Sequence, residues 1–292
     1  MPAIACLIAD PERAPLDARL VQEAEKALAG KARWLAEAQA AEIACEDDTS
    51  AAARLATLLS EAPVDHAVLP ADHRRKRLLV CDMDSTIITI ECIDELADLA
   101  GLKPQIAAVT RRAMNGELDF AAALRERVAL LAGLPEASIA AVIEQRLRLM
   151  PGARTLVRTM RANGAVTALV SGGFTAFTRH VREACGFDVE EANELEVADG
   201  RLTGRLVEPL RGAAAKLEAL VRLRDRHGLA TEDTLAVGDG ANDLPMIQAA
   251  GLGVAFHAHP RVRAAAPVRI EHGDLTALLF LQGYAAEEFV TR

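Results

Sequence analysis

The sequence predicts an α/β protein, with a Rossmann-like parallel sheet core that carries an inserted helical cap, and with a small α/β domain ahead of that core. Three observations lead to this prediction. Short apolar runs alternate with helical patterns along most of the chain. A helical block from about residue 93 to 149 is longer than an ordinary crossover, so we expect a cap there. Aromatic residues are only 3 % of the chain while hydrophobic residues are 51 %, which favours helix-rich layers over an all-β sandwich.

The first domain is predicted to span residues 1–75. Apolar periodicity predicts, in order, strand 4–9, helix 16–29, strand 41–45, helix 50–59 and strand 66–69. This stretch has no Cys, His or carboxylate cluster with metal-ligand spacing and no glycine-rich loop, so we assign it no chemistry of its own. The basic run 72–77 is interpreted as a solvated linker to the second domain, residues 76–292.

Charge balance and cysteine usage narrow the function classes. The net charge of −9 argues against a general nucleic-acid binder, and an anionic substrate would need a local cation to offset the repulsion. No apolar run reaches the ~18 residues of a membrane span, and the first residues lack the basic segment of a signal peptide. The five cysteines are scattered, as in a reduced protein. We therefore expect a cytoplasmic protein with no nucleic-acid or membrane partner.

The second domain opens with the apolar run 78–81, which predicts a short buried strand, and Asp82 and Asp84 follow it. Ligands of open α/β sheets bind outside the carboxyl ends of the strands. Residues i and i+2 of an extended segment point the same way, so both carboxylates can face one reacting group. The pair alone is equally compatible with an acidic strand end that caps the next helix. Ser85 and Thr86 are interpreted as caps of that helix.

Strand and helix alternation resumes after the cap, which closes at Pro151 and Gly152. We predict a hairpin around residues 199–200, a helix at 213–226, and strands at 165–170, 234–237, 253–256 and 268–270. Two of these strands end, like 78–81, in polar turns that contain glycine, at 171–173 and 238–243. A parallel sheet brings such ends together along one edge, so we expect one site built from three turns.

The predicted site has the composition of a phosphoryl-transfer centre. Asp82 and Asp239, with an oxygen from Asp84, form a hard oxygen set suited to Mg²⁺. Groups that can hold a phosphate come from the second turn and from a downstream helix: Ser171, Gly172 and Lys216. Two aspartates at i and i+2 can supply a nucleophile and a proton-transfer group.

Four ordered motifs then carry a family resemblance: DMDST at 82–86, SGG at 171–173, Lys216, and GDGAND at 238–243. Together they resemble the haloacid dehalogenase superfamily of phosphatases, and within it the phosphoserine phosphatase family. The resemblance implies Mg²⁺-dependent hydrolysis of O-phospho-L-serine through an aspartyl-phosphate, the last step of L-serine biosynthesis. The first domain is placed like the regulatory, ACT-like domain of the longer members of that family.

The resemblance also implies roles for single residues. Asp82 would be the nucleophile and Asp84 the general acid and base. Mg²⁺ would be bound by Asp82, the backbone carbonyl of Asp84 and Asp239. The phosphate or substrate would be held by Ser171, Gly172, Lys216 and Asn242, with Asp243 orienting the lysine or the metal waters.

The cap would supply the substrate-specific part of the site. Glu91 and Arg127 match the family's glutamate and arginine for the amino and carboxylate groups of serine, and a zwitterion needs one anion and one cation. Met114 and Phe120 would add apolar cover, while Arg125 is assigned to the surface.

Several alternatives stay open. A phosphatase or phosphotransferase for another small phosphate, such as phosphothreonine or phosphohomoserine, is the closest rival. Glu91 and Arg127 would bind the amino and carboxylate groups of any of these substrates and do not distinguish them by side-chain length. A signalling receiver domain also phosphorylates an aspartate, but it lacks a paired acid/base aspartate and an inserted cap. An amino-acid-binding regulator would apply only to the first domain. The oligomeric state is open, with a homodimer as one option.

Overall fold

The computed structural model describes residues 2–46, 49–114 and 117–291. The strands in these ranges form two sheets, one of four strands and one of seven. The helical pattern of the block 93–149 also predicts a break at Gly116. This residue lies outside the described residues, and so does the side chain of Met114, which is predicted to cover the site. Within the described ranges, no helix combines the length and the apolar character needed to cross a membrane.

The four-stranded sheet belongs to residues 2–70, which we call the N-terminal unit. Its elements are β1 (Pro2–Ala9), α1 (Ala18–Leu28), β2 (Ala32–Ala36), β3 (Ala40–Glu46), α2 (Thr49–Leu58) and β4 (Val64–Pro70). The strands are antiparallel in the order β2-β3-β1-β4, the arrangement of a ferredoxin-like βαββαβ fold. The sequence prediction missed β2, because the adjacent residues Arg33 and Trp34 are both exposed and break the alternation of apolar and polar positions.

The seven-stranded sheet is formed by the rest of the chain. Its strands are β5 (Leu78–Cys81), β6 (Val166–Phe174), β7 (Val189–Ala198), β8 (Arg201–Val207), β9 (Thr234–Gly238), β10 (Leu252–Phe256) and β11 (Val268–Ile270). Their order is β11-β10-β9-β5-β6-β7-β8, and all neighbours are parallel except the β7–β8 hairpin. All four residues of β5 are buried, as expected of a central parallel strand. The predicted parallel core is confirmed.

Four helices between β5 and the next strand form the predicted helical block, which we call the cap: α3 (Cys92–Leu99), α4 (Lys103–Met114), α5 (Phe120–Leu130) and α6 (Ala137–Gln145). The two segments that join the cap to the core lie side by side. The Thr89 N–H donates to the Arg148 carbonyl at 3.0 Å, and the Met150 N–H donates to the Ile87 carbonyl at 2.8 Å. We call the segments 87–89 and 148–152, which join the cap to the core, the hinge.

Helices cover both faces of the seven-stranded sheet. They are α7 (Ala153–Ala162), α8 (Thr175–Cys185), α9 (Ala215–Arg226), α10 (Leu244–Ala249), α11 (Pro260–Ala265) and α12 (Ala277–Leu281). Buried side chains of α7, α8 and α12 share one hydrophobic cluster, and those of α9, α10 and α11 share another. This three-layer arrangement buries the sheet and leaves the carboxyl ends of its strands facing the cap.

The N-terminal unit packs against the C-terminal part of the core, because side chains from one face of its sheet join the same cluster as α12. Arg74 lies between the two parts, donating to the Leu281 carbonyl at 3.0 Å and to the Glu42 carboxylate at 2.6 Å. The Lys76 ammonium is also enclosed and donates to the Glu232 carbonyl at 2.7 Å. The interpretation of 72–77 as a solvated linker is therefore wrong for these two cations, because Arg74 binds acceptors on both sides of the junction and Lys76 is buried against the second part of the chain.

Candidate active site

Three strand ends meet at one edge of the seven-stranded sheet. Cys81, at the end of β5, pairs in register with Leu169 of β6 and with Val237 of β9. Because these strands are parallel, the turns that follow them lie side by side. The structure thus brings together the segments 82–86, 171–173 and 238–243, as the sequence predicted. The predicted turn at 171–173 is part of β6, which continues to Phe174 with a register shift against β7 after Val170.

A buried lysine lies among the aspartates of this edge. The Nζ atom of Lys216, in the first turn of α9, is 2.7 Å from Asp82 Oδ1 and 2.5 Å from Asp243 Oδ1. Lys216 is 3 % exposed and Asp243 is fully buried. Burial alone lowers the pKa of Lys216, but the carboxylates of Asp243 and Asp82 raise it above its ordinary value, so the lysine is charged. The local cation required by the net charge of −9 is therefore present beside Asp82.

The same residues form a carboxylate cluster that fits a divalent cation. Oxygens of Asp82, Asp239 and Asp243 lie within 4.8 Å of one another. Burial, followed by the Asp243 charge, raises the pKa of Asp82 well above its usual range and raises that of Asp239 to about 6. Three crowded carboxylates beside one lysine leave excess negative charge, and hard carboxylate oxygens are the ligands that Mg²⁺ takes. Thr86 Oγ1 donates to Asp239 Oδ1 at 2.9 Å and so orients that carboxylate.

Asp84 is placed differently from Asp82. Its Oδ1 accepts from the Cys92 N–H at 3.0 Å, at the start of α3. Burial raises the pKa of Asp84, while hydrogen bonds from Cys92 lower it in part. Its other oxygen faces the β6 turn, because a Cβ at Gly173 would lie 2.8 Å from Asp84 Oδ2. Asp84 lies outside the cluster of Asp82, Asp239 and Asp243, and its carboxyl group is held by α3 beside that cluster. A carboxyl group in this position suits proton transfer.

Residues 171–173, near the carboxyl end of β6 and called the β6 turn here, are held in a fixed shape. Ser171 Oγ accepts from the Gly173 N–H at 2.8 Å, and the Gly172 carbonyl accepts from Asn193 Nδ2 at 2.9 Å. A Cβ at Gly172 would lie 2.8 Å from the Phe120 ring, so glycine allows the cap helix α5 to approach this turn. Phe120 therefore covers the turn, as the sequence predicted.

Two side chains of opposite charge lie on the cap side. Ser85 Oγ donates to Glu91 Oε1 at 2.7 Å. Glu91 is exposed, yet the protein atoms around its carboxyl and the neighbouring Asp84 charge raise its pKa to about 7. Arg127 forms no ion pair among the described residues. Burial lowers the pKa of its guanidinium, and the charges of Asp94, Glu91 and Asp84 partly oppose this shift. An anion and a cation thus lie on the cap side of the site, within reach of each other's charge.

Two more residues were assigned from the sequence: Asn242 to the site and Arg125 to the surface. Asn242 is half-buried on the β9 turn, where a Cβ at Gly240 would lie 2.5 Å from its Oδ1. Arg125 pairs with Glu208 at 2.8 Å on the surface, as its assignment to a solvated helix face predicted.

Sequence reasoning missed three contributions. Ser85 and Thr86 bind Glu91 and Asp239 rather than capping the next helix, which begins at Cys92. Their position inside the 82–86 turn was a signal for such a role. Asn193 had no comparable signal, because it lies on β7, outside every motif, and contacts the phosphate-side turn only through the packing of β7 on β6.

Comparison with known proteins places this geometry in a family. A family model described as haloacid dehalogenase-like hydrolase matches residues 79–248. A phosphoserine phosphatase from Polaromonas sp. is 48% identical over 210 residues, covering 70% of this chain and 89% of the relative. One from Streptomyces coelicolor is 48% identical over 236 residues, covering 80% of this chain and 57% of the relative. The chain thus spans little more than half the length of the Streptomyces relative and 52% of a similar one from Mycobacterium tuberculosis.

Two solved structures are similar over nearly the whole chain. A haloacid dehalogenase family hydrolase from Salmonella enterica has a TM-score of 0.85 at 32% identity, covering 96% of this chain and 98% of that one. A probable phosphoserine phosphatase from Vibrio cholerae, unliganded, has a TM-score of 0.80 at 33% identity, covering 98% of this chain and 88% of that one. The similarity therefore includes the N-terminal unit as well as the core.

Proposed function

Because this chain belongs to the haloacid dehalogenase-like hydrolase family, and within it to the phosphoserine phosphatases, we propose that it is a Mg²⁺-dependent phosphatase that hydrolyses O-phospho-L-serine to L-serine and phosphate. The observation that carries the proposal is the contact between Lys216 and Asp82 at 2.7 Å, beside a separately held Asp84. This contact combines a nucleophile, a phosphate-binding cation and a proton-transfer group at one strand edge. As a phosphoserine phosphatase, the enzyme would complete L-serine biosynthesis.

The first half of the proposed reaction forms an aspartyl-phosphate. A carboxylate oxygen of Asp82 attacks phosphorus, and the bond between phosphorus and the serine oxygen breaks. Asp84, whose raised pKa lets it carry a proton, donates that proton to the departing serine oxygen. Lys216, Ser171 and the Gly172 N–H hold the phosphoryl oxygens during the transfer.

The second half restores the enzyme. Asp84, now ionised, removes a proton from water, and the water oxygen attacks the phosphorus of the aspartyl-phosphate. The phosphorus–carboxylate bond breaks, which releases phosphate and regenerates the Asp82 carboxylate. Mg²⁺ held by Asp82, Asp239 and the Asp84 carbonyl would supply charge neutralisation at the phosphoryl oxygens. Asn242 would help to hold the substrate, and Asp243 keeps Lys216 aimed at Asp82.

The cap residues support an amino-acid substrate. Glu91 offers a carboxylate for the substrate ammonium, and Arg127 offers a guanidinium for the substrate carboxylate. Arg127 lies close enough to Asp94, Glu91 and Asp84 for their charges to act on its guanidinium, which supports a binding cation beside the proposed ammonium-binding carboxylate. Phe120 closes the pocket above Gly172 and limits water access.

The test is phosphate release from a panel of small phosphomonoesters, with and without Mg²⁺. We expect O-phospho-L-serine to be hydrolysed far faster than sugar phosphates, and Glu91→Gln to remove that preference. Glu136→Gln is the matched control, because Glu136 also precedes a cap helix and its side chain makes no capping bond. Comparable rates on sugar phosphates, or a Glu91→Gln variant with unchanged selectivity, would refute the amino-acid substrate. Faster turnover of phosphothreonine would replace the substrate and keep the reaction.

The proposal extends to the organisation of the chain. Residues 1–75 would be an ACT-like regulatory domain, and residues 76–292 the phosphatase domain with its cap at about 93–149. The ferredoxin-like strand order of the N-terminal unit supports the first assignment. The buried thiols Cys6, Cys81, Cys92 and Cys185 suit the reducing cytoplasm. A homodimer, and the lack of nucleic-acid and membrane partners, stay predictions.

A further inference from the structure

A carboxylate of the N-terminal unit is buried at the junction with the other part of the chain. Asp65, on β4, is 4 % exposed. Its oxygens accept from three consecutive backbone N–H groups that follow β11, those of Glu271 at 2.7 Å, His272 at 3.0 Å and Gly273 at 2.7 Å. No lysine or arginine pairs with Asp65 within the described ranges. Three successive amides that converge on one anion form a specific, charge-assisted site, so Asp65 fixes the shape of the loop 271–275.

One side of this loop leads to the proposed metal site. His257 Nε2 donates to the Gly273 carbonyl at 2.9 Å. The backbone of His257 has φ of +44°, a conformation that non-glycine residues adopt rarely. Two residues further, the His259 N–H donates to the Asp239 carbonyl at 3.2 Å. Two hydrogen bonds and the short segment 257–259 therefore connect the loop to Asp239.

The other side of the loop leads to the hinge of the cap. The Leu275 N–H donates to the Pro151 carbonyl at 3.1 Å. A Cβ at Gly152 would lie 2.6 Å from the Thr276 nitrogen, so the hinge and the loop are in backbone contact. The next helix, α7, starts at Ala153. The position of the hinge thus depends on the same loop that Asp65 holds.

We propose that Asp65 is a positioning residue of the phosphatase site, which acts through the loop 271–275 on both the Asp239 turn and the cap hinge. The N-terminal unit is then part of the machinery that sets the site geometry. The expected changes in KM and kcat rest on the proposed function. The expected changes in hydrogen exchange and Mg²⁺ binding can be measured without turnover of a substrate.

The test compares Asp65→Asn with the wild-type full-length chain. The Asn amide turns an N–H group toward backbone N–H donors, so the loop loses part of its anchor without a change in side-chain size. Asp17→Asn is the matched control, because Asp17 also accepts a backbone N–H, that of Arg19, but caps α1 inside the N-terminal unit. Hydrogen exchange, Mg²⁺ binding by calorimetry, and KM and kcat are measured for each variant.

For Asp65→Asn we expect faster exchange at 271–275, and also at 257–259 and 149–152, with Mg²⁺ affinity and kcat/KM each lowered by about 3- to 10-fold. Faster exchange confined to 271–275, with Mg²⁺ affinity unchanged, would overturn the proposal. Failure of the proposed function is a separate outcome, because exchange and Mg²⁺ binding respond even when phosphoserine is not the substrate.

A second variant covers the case in which Asp65→Asn fails to fold. His257→Asn removes the bond to the Gly273 carbonyl and keeps a residue that tolerates positive φ. It should lower Mg²⁺ affinity as Asp65→Asn does, and the double variant should lose less than the sum of the two single effects. Wild-type Mg²⁺ affinity in His257→Asn, or strictly additive effects, would contradict the proposed route.

Discussion

Replacement of Lys216 by methionine tests the centre of the proposed site. Methionine keeps most of the side-chain volume, so Lys216→Met removes a charge without opening a large cavity. The lysine contacts Asp82 at 2.7 Å and Asp243 at 2.5 Å in a setting where it is 3 % exposed. Both contacts are lost together in the variant.

The expected magnitudes follow from these contacts. Loss of one preorganised donor to a phosphoryl oxygen costs about 100- to 1,000-fold in turnover, which corresponds to roughly 2.7–4 kcal/mol of activation free energy. Removal of one partner from a buried ion pair costs about 3–5 kcal/mol of folding stability, because the remaining charges are uncompensated. The stability loss should be greatest in chelator and smaller in Mg²⁺, since a bound cation offsets the carboxylate charges of Asp82 and Asp239.

The assay measures phosphate release from O-phospho-L-serine and thermal unfolding with and without Mg²⁺. Lys31→Met is the control, because Lys31 is exposed in the N-terminal unit, and it should match the wild type in both measurements. Circular dichroism establishes that Lys216→Met is folded at the assay temperature. Turnover within tenfold of the wild type by a folded Lys216→Met would refute the assignment of this lysine to the site.

Three further predictions address the proton-transfer group, the cap contact and the metal. Asp84→Asn should slow the release of serine by about 100- to 10,000-fold, measured by rapid quench. With p-nitrophenyl phosphate it should slow phosphoenzyme formation much less, because that leaving group needs no proton. Equal losses with both substrates would contradict the acid role. Gly172→Ala places a Cβ about 2.8 Å from the Phe120 ring, so we expect it to raise KM. A second substitution, Phe120→Leu, should bring KM part of the way back to the wild-type value. An unchanged KM in Gly172→Ala would show that this contact does not affect substrate binding. Chelation of the metal should abolish turnover. Added Mg²⁺ should raise the unfolding temperature of the wild type but not that of Asp239→Asn, and an equal rise in both would exclude Asp239 as a ligand.

The architecture of the core and the three segments of the site follow from local patterns in the sequence. The buried strand before Asp82, the i and i+2 spacing of Asp82 and Asp84, and the glycine-bearing turns are local features of the chain. Local features follow from backbone geometry, which a sequence pattern reports directly. The parallel order of β6, β5 and β9 then required only the general rule that such strands end at one edge.

The contacts between distant segments, in contrast, are visible only in the folded chain. Asn193 reaches the Gly172 carbonyl, and Asp65 reaches the loop after β11 across 206 positions of the chain. The basic residues at 74 and 76 are enclosed at the junction of two units and are not solvated, although their local pattern is that of a linker. Such contacts depend on how the helices and strands pack after they form. A single polar residue within a strand has no sequence pattern that identifies its hydrogen-bond partner, although a buried polar group needs one.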